Sequence, residues 1–383
     1  MKKVNQQYEQ DKQYRICKTT CKTTLAFLVG MICAVPAFAD GNVTIWGSID
    51  SGISYVSNAG GKHVVMMDDG VDGPDLLGIR GSEDLGGGTR ATFELVNQFH
   101  IDDGSFMPGQ SLFSRTSTIG LTNPRWGTLR IGNQYDYMTD GLFFEGGAGM
   151  AEIPGHFYGF RAGPFQKLDL PDNPTGAFDW DRMSGEVVSN SVKYNTPVFK
   201  GFSGGAMYAF GNVPGSVGAG NGSSFALNYA AKNFGINAAY TNLKYYTAGS
   251  PQVSIRNWGV GAHYDVGKWN FFGLVTTVHN SLNGASVYEG SVWANYHFTP
   301  ALSASLSYMY MKGNAVVDDN HAHELSANVL YAFSKRTEVY VMGLWQKANS
   351  GSQAQIVTGL NSPDGASTSD SQAVVRVGIR HRF

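Results

Sequence analysis

The chain has 383 residues, a formal net charge of −2, 49 glycines, 22 phenylalanines and 19 tyrosines. Its three cysteines, Cys17, Cys21 and Cys33, all precede residue 40, so the rest of the chain excludes disulfides, zinc-thiolate sites and cysteine nucleophiles. No apolar run after residue 39 approaches the roughly 18 residues that a transmembrane helix needs, which excludes a bundle of such helices.

The first 39 residues have the pattern of a secretory signal peptide. A basic stretch runs from Lys2 to Lys22, an apolar run covers residues 25–35, and residues 37–39 form an A-x-A cleavage site. A membrane anchor is the alternative, but the apolar run is too short to span a bilayer. We therefore expect a signal peptide at 1–39 and one exported domain at 40–383. Loss of the signal lowers the net charge to about −6, which disfavours a nucleic-acid partner.

The exported part alternates apolar and polar residues with a period of two, as half-buried strands do. Val43, Ile45 and Ile49 alternate with Thr44 and Ser48 near its start. Similar apolar faces recur along the chain, at 91–95, 225–229, 258–264, 288–298, 302–310 and 325–333. Segments of about 9–12 residues are long enough to cross a membrane as tilted strands.

Sixteen such segments can be counted, with connectors that alternate between short and long. The predicted strands are 43–56, 74–81, 89–100, 112–122, 126–135, 187–195, 202–211, 223–232, 234–244, 255–266, 268–280, 286–298, 300–312, 322–334, 336–347 and 373–383. The predicted long connectors are 57–73, 101–111, 136–186, 212–222, 245–254 and 348–372. Short turns at one rim and long loops at the other are typical of an up-and-down barrel, which must close because lipid cannot hydrogen-bond a free sheet edge. The sequence thus predicts an all-β fold, a 16-stranded antiparallel transmembrane β-barrel.

Four sequence blocks spread over the exported part carry a family resemblance. They are Gly78-Ile79-Arg80-Gly81-Ser82-Glu83-Asp84-Leu85-Gly86-Gly87-Gly88, Asn190-Ser191-Val192-Lys193-Tyr194 with Gly201-Phe202-Ser203, Ser334-Lys335-Arg336-Thr337, and the ending Val377-Gly378-Ile379-Arg380-His381-Arg382-Phe383. With them the chain resembles the general diffusion porins of β-proteobacteria, the group of neisserial and Burkholderia-type porins. The resemblance implies a homotrimer in the cell outer membrane with one water-filled pore per subunit, which passes ions and small hydrophilic solutes. It also implies contact with outer-membrane lipid and lipopolysaccharide, and assembly by the barrel-assembly machinery, for which Phe383 at the chain end is the signal.

The connector 136–186 is the predicted functional centre, because about fifty residues is far longer than a hairpin loop requires. In the porin family that the chain resembles, the third loop folds into the barrel, and its acidic side chains face basic residues on the wall. We expect Asp140, Glu145 and Glu152 to form the acidic side of this constriction. A field across the opening would order water and slow apolar solutes.

The basic side of the pore is predicted from strand parity. Arg80, Arg90 and Lys193 alternate with outward apolar residues, so they are expected to face the lumen. Arg115 matches an arginine of the family at the start of the fourth strand. A position at the headgroup rim is the alternative for each of them.

Two positions depart from the family pattern. Leu76 stands where family members often carry arginine before the first turn, and Asn133 stands where the fifth strand often has arginine. The basic cluster is therefore reduced, which predicts weak cation preference or near neutrality instead of the anion preference that is usual in the family.

No catalytic triad, cofactor motif or metal-ligand spacing stands out, so we expect neither an enzyme nor a bound cofactor or metal. A substrate-selective outer-membrane channel is the main alternative function, since aromatic residues are frequent in the third loop. An outer-membrane enzyme or adhesin is a further alternative.

Overall fold

A computed structural model describes residues 42–106, 111–144, 163–171, 187–356 and 365–383. The predicted signal peptide lies outside these residues. No helix in the described ranges is both long enough and apolar enough to cross a membrane.

In the described residues, seventeen β-strands form one antiparallel sheet in which consecutive strands pair, except that β2 and β3 both pair with β1 and not with each other. Their bounds are β1 Asn42–Ala59, β2 Lys62–Asp69, β3 Leu76–Gly86, β4 Thr89–Gln98, β5 Thr116–Asn123, β6 Gly127–Tyr135, β7 Val187–Asn195, β8 Phe202–Ala209, β9 Gly222–Ala230, β10 Phe234–Tyr245, β11 Val253–Val266, β12 Trp269–Asn280, β13 Ser286–His297, β14 Leu302–Gly313, β15 His321–Ala332, β16 Thr337–Ala348 and β17 Ser371–Arg382. Because β17 also pairs with β1, the sheet closes into a barrel.

Strands β2 and β3 together occupy one strand position of the barrel wall, here called a stave. Both strands pair with β1: Ser51 of β1 is opposite Asp69 of β2, and Ser48 of β1 is opposite Leu76 of β3. The six residues between Asp69 and Leu76 therefore bulge out of the sheet, opposite only two residues of β1. The barrel therefore has sixteen staves, which confirms the predicted fold class.

The prediction that residues 57–73 form a long connector was wrong, because Lys62–Asp69 is a strand. Its residues Val64, Val65, Met66 and Met67 are apolar on both faces, so the alternation used for prediction is lost there. The inward face is apolar because Val64 packs against a buried cluster inside the barrel that includes Val56, Tyr340 and Val374.

The outer surface of the barrel is apolar and exposed, as a lipid-facing surface should be. Val43, Ile53 and Ile119 are each more than 60% exposed. Where β12 and β13 meet the short-turn rim, Trp269, Phe271, Tyr296 and Phe298 form an outward aromatic cluster, with ring centroids 4.6 Å apart for Trp269 and Tyr296. Such girdles are typical of the membrane interface.

An ionic network lies inside the barrel where the sheet closes. Arg376 of β17 is fully buried and forms salt bridges with Asp50 of β1, at 3.6 Å, and with Asp68 of β2. Tyr340 of β16 donates a hydrogen bond to Asp50 at 2.6 Å and accepts one from Nε of Arg376 at 2.8 Å. The network therefore joins four staves across the seam between the first and last strands.

Short helical segments occur between strands. They are an α-helical turn at Tyr137–Thr139, a π-helical turn at Asp140–Phe144, and 3-10 turns at Gly163–Leu168 and Ala315–Val317. The first three belong to the connector between β6 and β7, called the third loop below.

Candidate functional site: the pore lumen and the third loop

The third loop begins inside the barrel. Asp136 caps the turn Tyr137–Thr139, since its side chain accepts a hydrogen bond from the backbone N–H of Thr139 at 2.9 Å. Tyr137, Met138 and Leu142 are buried. Their partners are inward-facing residues of β8, β10, β12 and β13, namely Met207, Ala239, Leu243, Leu274 and Trp293. An apolar contact thus holds the start of the loop on the inner wall.

Two strand glycines make room for this contact. A Cβ on Gly205 of β8 would lie 1.8 Å from the hydroxyl of Tyr137, and a Cβ on Gly259 of β11 would lie 2.6 Å from Cδ1 of Leu142. Any side chain at either position would meet the loop. The wall is therefore shaped to receive the loop.

Asp140 and Lys193 form a salt bridge between the loop and the wall. Lys193 on β7 is 2% exposed, donates a hydrogen bond to the carbonyl oxygen of Tyr135 at 2.8 Å, and has its ammonium 4.2 Å from the ring centroid of Tyr137. The two charges are in direct contact, so each compensates the other and they do not face one another across an opening.

A second part of the loop, residues 163–171, contacts a neighbouring part of the inner wall. Phe165 and Leu168 are fully buried among inward residues of β11 to β15, including Ile255, Val287 and Met311. The side-chain amide of Asn280 donates to the carbonyls of Leu168 and Asp169 at 3.0 and 2.9 Å. Asn320 donates to the carbonyl of Pro164 at 2.7 Å. The loop thus contacts the wall at two separate places.

The remaining predicted site residues are distributed unevenly. Arg115 is 8% exposed, donates a hydrogen bond to Gln98 and lies 5.4 Å from the ring of Tyr135, close to the start of the third loop. Arg80 is exposed on the inward face of β3, opposite Glu94 of β4. Arg90 is exposed beside the short turn after β3, opposite Asp84. Glu145 and Glu152 lie outside the described residues.

Three further inward basic residues were not among the predicted pore residues. Arg130 of β6 lies directly opposite Lys193 in the register, and it alternates with the outward Leu129 and Ile131. Arg376 and Arg380 lie on the inward face of β17. Arg380 pairs with Asp72 at 2.8 Å and with Glu338. Parity would have identified all three, but carboxylates contributed by distant strands could not be foreseen.

Two buried acids on the inner wall were also missed. Glu289 of β13 and Glu324 of β15 are 2% and 5% exposed. Glu289 accepts hydrogen bonds from Thr276 at 2.8 Å and from Ser291, and Glu324 accepts one from Gln346 at 3.2 Å. The inner wall thus carries acidic groups as well as basic ones.

The two departures from the family pattern lie on different faces. Leu76 shares the inward parity of Arg80 and is opposite Ser48. Asn133 pairs with Ser117, on the same side as the outward Ile131, and its amide donates to the carbonyl of Ser114 at 2.6 Å. Asn133 therefore lies on the outward face of β6, and of the two departures only Leu76 lies on the inward face.

Comparisons with known proteins agree with this architecture. The profile of a family described as Gram-negative porin matches residues 24–351. The "Outer membrane porin protein 32" of Delftia acidovorans is 27% identical over 378 residues, covering 94% of this chain and all of the relative. The "Major outer membrane protein P.IB" of Neisseria gonorrhoeae is 25% identical over 398 residues, covering 92% and 97%. Among solved structures, an "Anion-selective porin from Comamonas acidovorans" has a TM-score of 0.75 at 24% identity, covering 90% of this chain and 100% of that one.

Proposed function

Because the chain belongs to the Gram-negative porin family, a group of outer-membrane channels, we propose that its third loop sets the width and selectivity of its pore. The protein itself is a diffusion channel for ions and small hydrophilic solutes across the outer membrane. Its relatives are channels and not enzymes.

The two wall contacts of the loop support a constriction. Tyr137, Met138 and Leu142 pack at one place on the inner wall, and Phe165 and Leu168 pack at a second, neighbouring place. Residues 145–162, which connect these two contacts, include Glu145 and Glu152. We propose that this part of the loop crosses the lumen, with Glu145 and Glu152 as its acidic groups. Asp140 instead anchors the loop through Lys193.

The pore is proposed to be weakly selective, because several inward cations of the described wall have carboxylate partners. Lys193 pairs with Asp140, Arg376 with Asp50 and Asp68, and Arg380 with Asp72 and Glu338. An ion about 7 Å from an uncompensated charge feels roughly 0.6 kcal/mol at a water-like dielectric and about 2.4 kcal/mol at an effective value near 20. Pairing removes most of this bias. The remaining basic candidates are Arg80, Arg115, Arg130 and the peripheral Arg90. The acidic residues Glu289 and Glu324 of the inner wall have the opposite effect on selectivity.

We further propose that the protein is a homotrimer that contacts lipopolysaccharide and is assembled by the barrel-assembly machinery. The exposed apolar outer surface and the aromatic rim support contact with lipid and with other subunits. Chemical cross-linking of the native outer membrane, followed by mild extraction, tests the trimer. A ladder ending at three subunits supports it, and monomers alone count against it.

Deletion of residues 148–168 tests the proposed constriction. The single-channel conductance should rise, and sugars too large for the original pore should enter liposomes. A matched deletion of 215–219, at the tip of the loop between β8 and β9, should change neither quantity. Unchanged conductance in a folded 148–168 deletion would place the constriction elsewhere.

A further inference from the structure

The interruption between β2 and β3 brings several carboxylates together. Residues 70–75 wrap around Asp50, whose carboxylate accepts hydrogen bonds from the backbone of Asp72 and Gly73, at 2.5 and 3.1 Å. The backbone N–H of Asp50 in turn donates to Oδ1 of Asp75 at 2.5 Å. This wrapping places Asp69, at the end of β2, beside Asp75, just before β3.

Asp75 has a buried oxygen that none of the described residues satisfies. The residue is 1% exposed, and its Oδ2 accepts no hydrogen bond within the described part of the chain. Its carboxyl group interacts with that of Asp69. Two neighbouring carboxylates repel each other unless a proton or a cation lies between or beside them.

Asp69 also faces the first residues of the loop after β4. Oδ2 of Asp69 accepts a hydrogen bond from the backbone N–H of Ile101 at 2.5 Å, and Oδ1 lies 3.1 Å from Nδ1 of His100. One potential ligand atom from each of Asp69, His100 and Asp102 lies within 4.8 Å of the others. Two ligands on opposite sides of a Ca²⁺ ion are about 4.8 Å apart, since each bond is about 2.4 Å.

The nearby guanidinium groups are already engaged with other carboxylates. Arg376 is paired with Asp50 and Asp68, and Arg380 with Asp72 and Glu338. The group around Asp69 therefore combines three carboxylates with one imidazole, and a small cation can reach it because Asp102 is exposed.

We propose that Asp69 and Asp102 bind a Ca²⁺ ion, with Asp75 adding negative charge behind Asp69 and His100 orienting the Asp69 carboxylate. Oxygen ligands favour a hard cation such as Ca²⁺, and the flexible coordination of Ca²⁺ tolerates water in the remaining positions. The ion would join the loop after β4 to the interruption in the stave. Sites of this kind in extracellular modules bind Ca²⁺ with dissociation constants on the order of 10⁻⁴–10⁻³ M.

Calorimetric titration of CaCl₂ into the folded, EDTA-washed protein in detergent tests this proposal. One ion per chain should bind, and Asp69→Asn, Asp75→Asn and Asp102→Asn should each weaken binding at least tenfold. Asp103→Asn is the matched control, because it removes an exposed carboxylate of the same loop that is not part of the cluster. Asp102 is exposed, so its variant should fold even where the buried variants do not.

Three results would overturn the proposal. One is the absence of Ca²⁺ binding in the original protein. Another is Ca²⁺ binding that Asp102→Asn and Asp69→Asn leave unchanged. The third is a site that takes Zn²⁺ but not Ca²⁺ and is lost in His100→Gln, which would mean that the imidazole and not the carboxylates defines it.

Discussion

Lys193 of the barrel wall and Asp140 of the third loop form a salt bridge, and the lysine in that pair is almost completely buried. The ammonium group also donates to the carbonyl of Tyr135 and lies over the ring of Tyr137. Lys193 therefore contacts the end of the strand before the loop, the first helical turn of the loop and the acid that follows this turn. We regard this pair as the anchor of the loop.

Removing either partner should loosen the loop and leave a charge behind. A buried charge that loses its partner costs about 3–5 kcal/mol, so Lys193→Gln and Asp140→Asn should both lower the thermal transition of the folded barrel. Asp140→Asn should also shift selectivity toward anions, and Lys193→Gln toward cations. Reversal potentials across a salt gradient measure both shifts. Lys200→Gln, in the exposed turn before β8, is the control. Identical shifts in the two site variants would argue against the pairing.

Gly205→Ala should displace the start of the third loop, because the new methyl group would overlap the hydroxyl of Tyr137. Overpacking of this kind typically costs about 1–3 kcal/mol. We expect noisier single-channel recordings and a changed mean conductance. Gly343→Ala in β16 is a matched control, since an added Cβ there meets no atom within 4 Å. If both variants conduct like the original, the close approach at Gly205 does not restrain the loop.

Arg376→Met should destabilise the barrel strongly, because Asp50 and Asp68 would remain buried without their cation. The expected loss is about 3–5 kcal/mol in the free energy of unfolding. Arg382→Met is the control. Arg382 is 45% exposed and shares Glu338 with Arg380, so its loss should cost about 1 kcal/mol or less. Urea unfolding in detergent, followed by heat-modifiable gel migration, compares them, and equal stabilities would exclude a structural role for the seam network.

Phe383→Asp should lower the yield of folded barrel. The backbone N–H and carbonyl of Phe383 pair with those of Gly47 at 3.1 Å each, and its ring occupies the space where a side chain on Gly47 would lie. The last residue thus completes the contact between the first and last staves. Phe383→Tyr keeps the ring and should assemble normally. Heat-modifiable migration of outer-membrane extracts reports the yield, and a normal amount of the Asp variant would show that Phe383 is dispensable.

Leu76→Arg should shift selectivity toward anions by a factor of a few, since Leu76 lies on the inward face beside Ser48 and Gln98. The effect should be largest at low salt, where screening is weakest. Leu77 points outward, so Leu77→Arg is the control, because it adds the same charge outside the lumen. An unchanged reversal potential in folded Leu76→Arg would place this residue away from the ion path.

The sequence predicted the barrel because lipid imposes a strict pattern on every stave. Alternation of residues such as Val375 and Arg376 reports directly which side faces lipid and which faces the lumen. The pattern failed at β2, where Val64 and Met66 are apolar although they face inward. It could not reveal that the stave is interrupted, because the loop at 70–75 is specified by contacts with Asp50 and not by periodicity.

The site was less predictable than the fold. Parity predicted that Lys193 lies on the inward face, and the resemblance drew attention to Asp140. Neither could show that the two side chains touch, because 53 residues separate them and the loop between them has no regular repeat. The partners of Arg376 and Arg380 could not be predicted for the same reason, because Asp50, Asp68 and Asp72 lie near the other end of the chain. Charge pairing across a closed sheet depends on register, which the sequence does not encode locally.

Single-channel recording in a planar bilayer tests most directly whether the protein forms an open and weakly selective diffusion pore. Stepwise conductance should rise in proportion to KCl concentration, the reversal potential across a salt gradient should be small, and no single small sugar or organic anion should block the current saturably. Saturable block by one solute would indicate a substrate-selective channel. A folded barrel that produces no conductance steps would show that the protein does not form a diffusion pore.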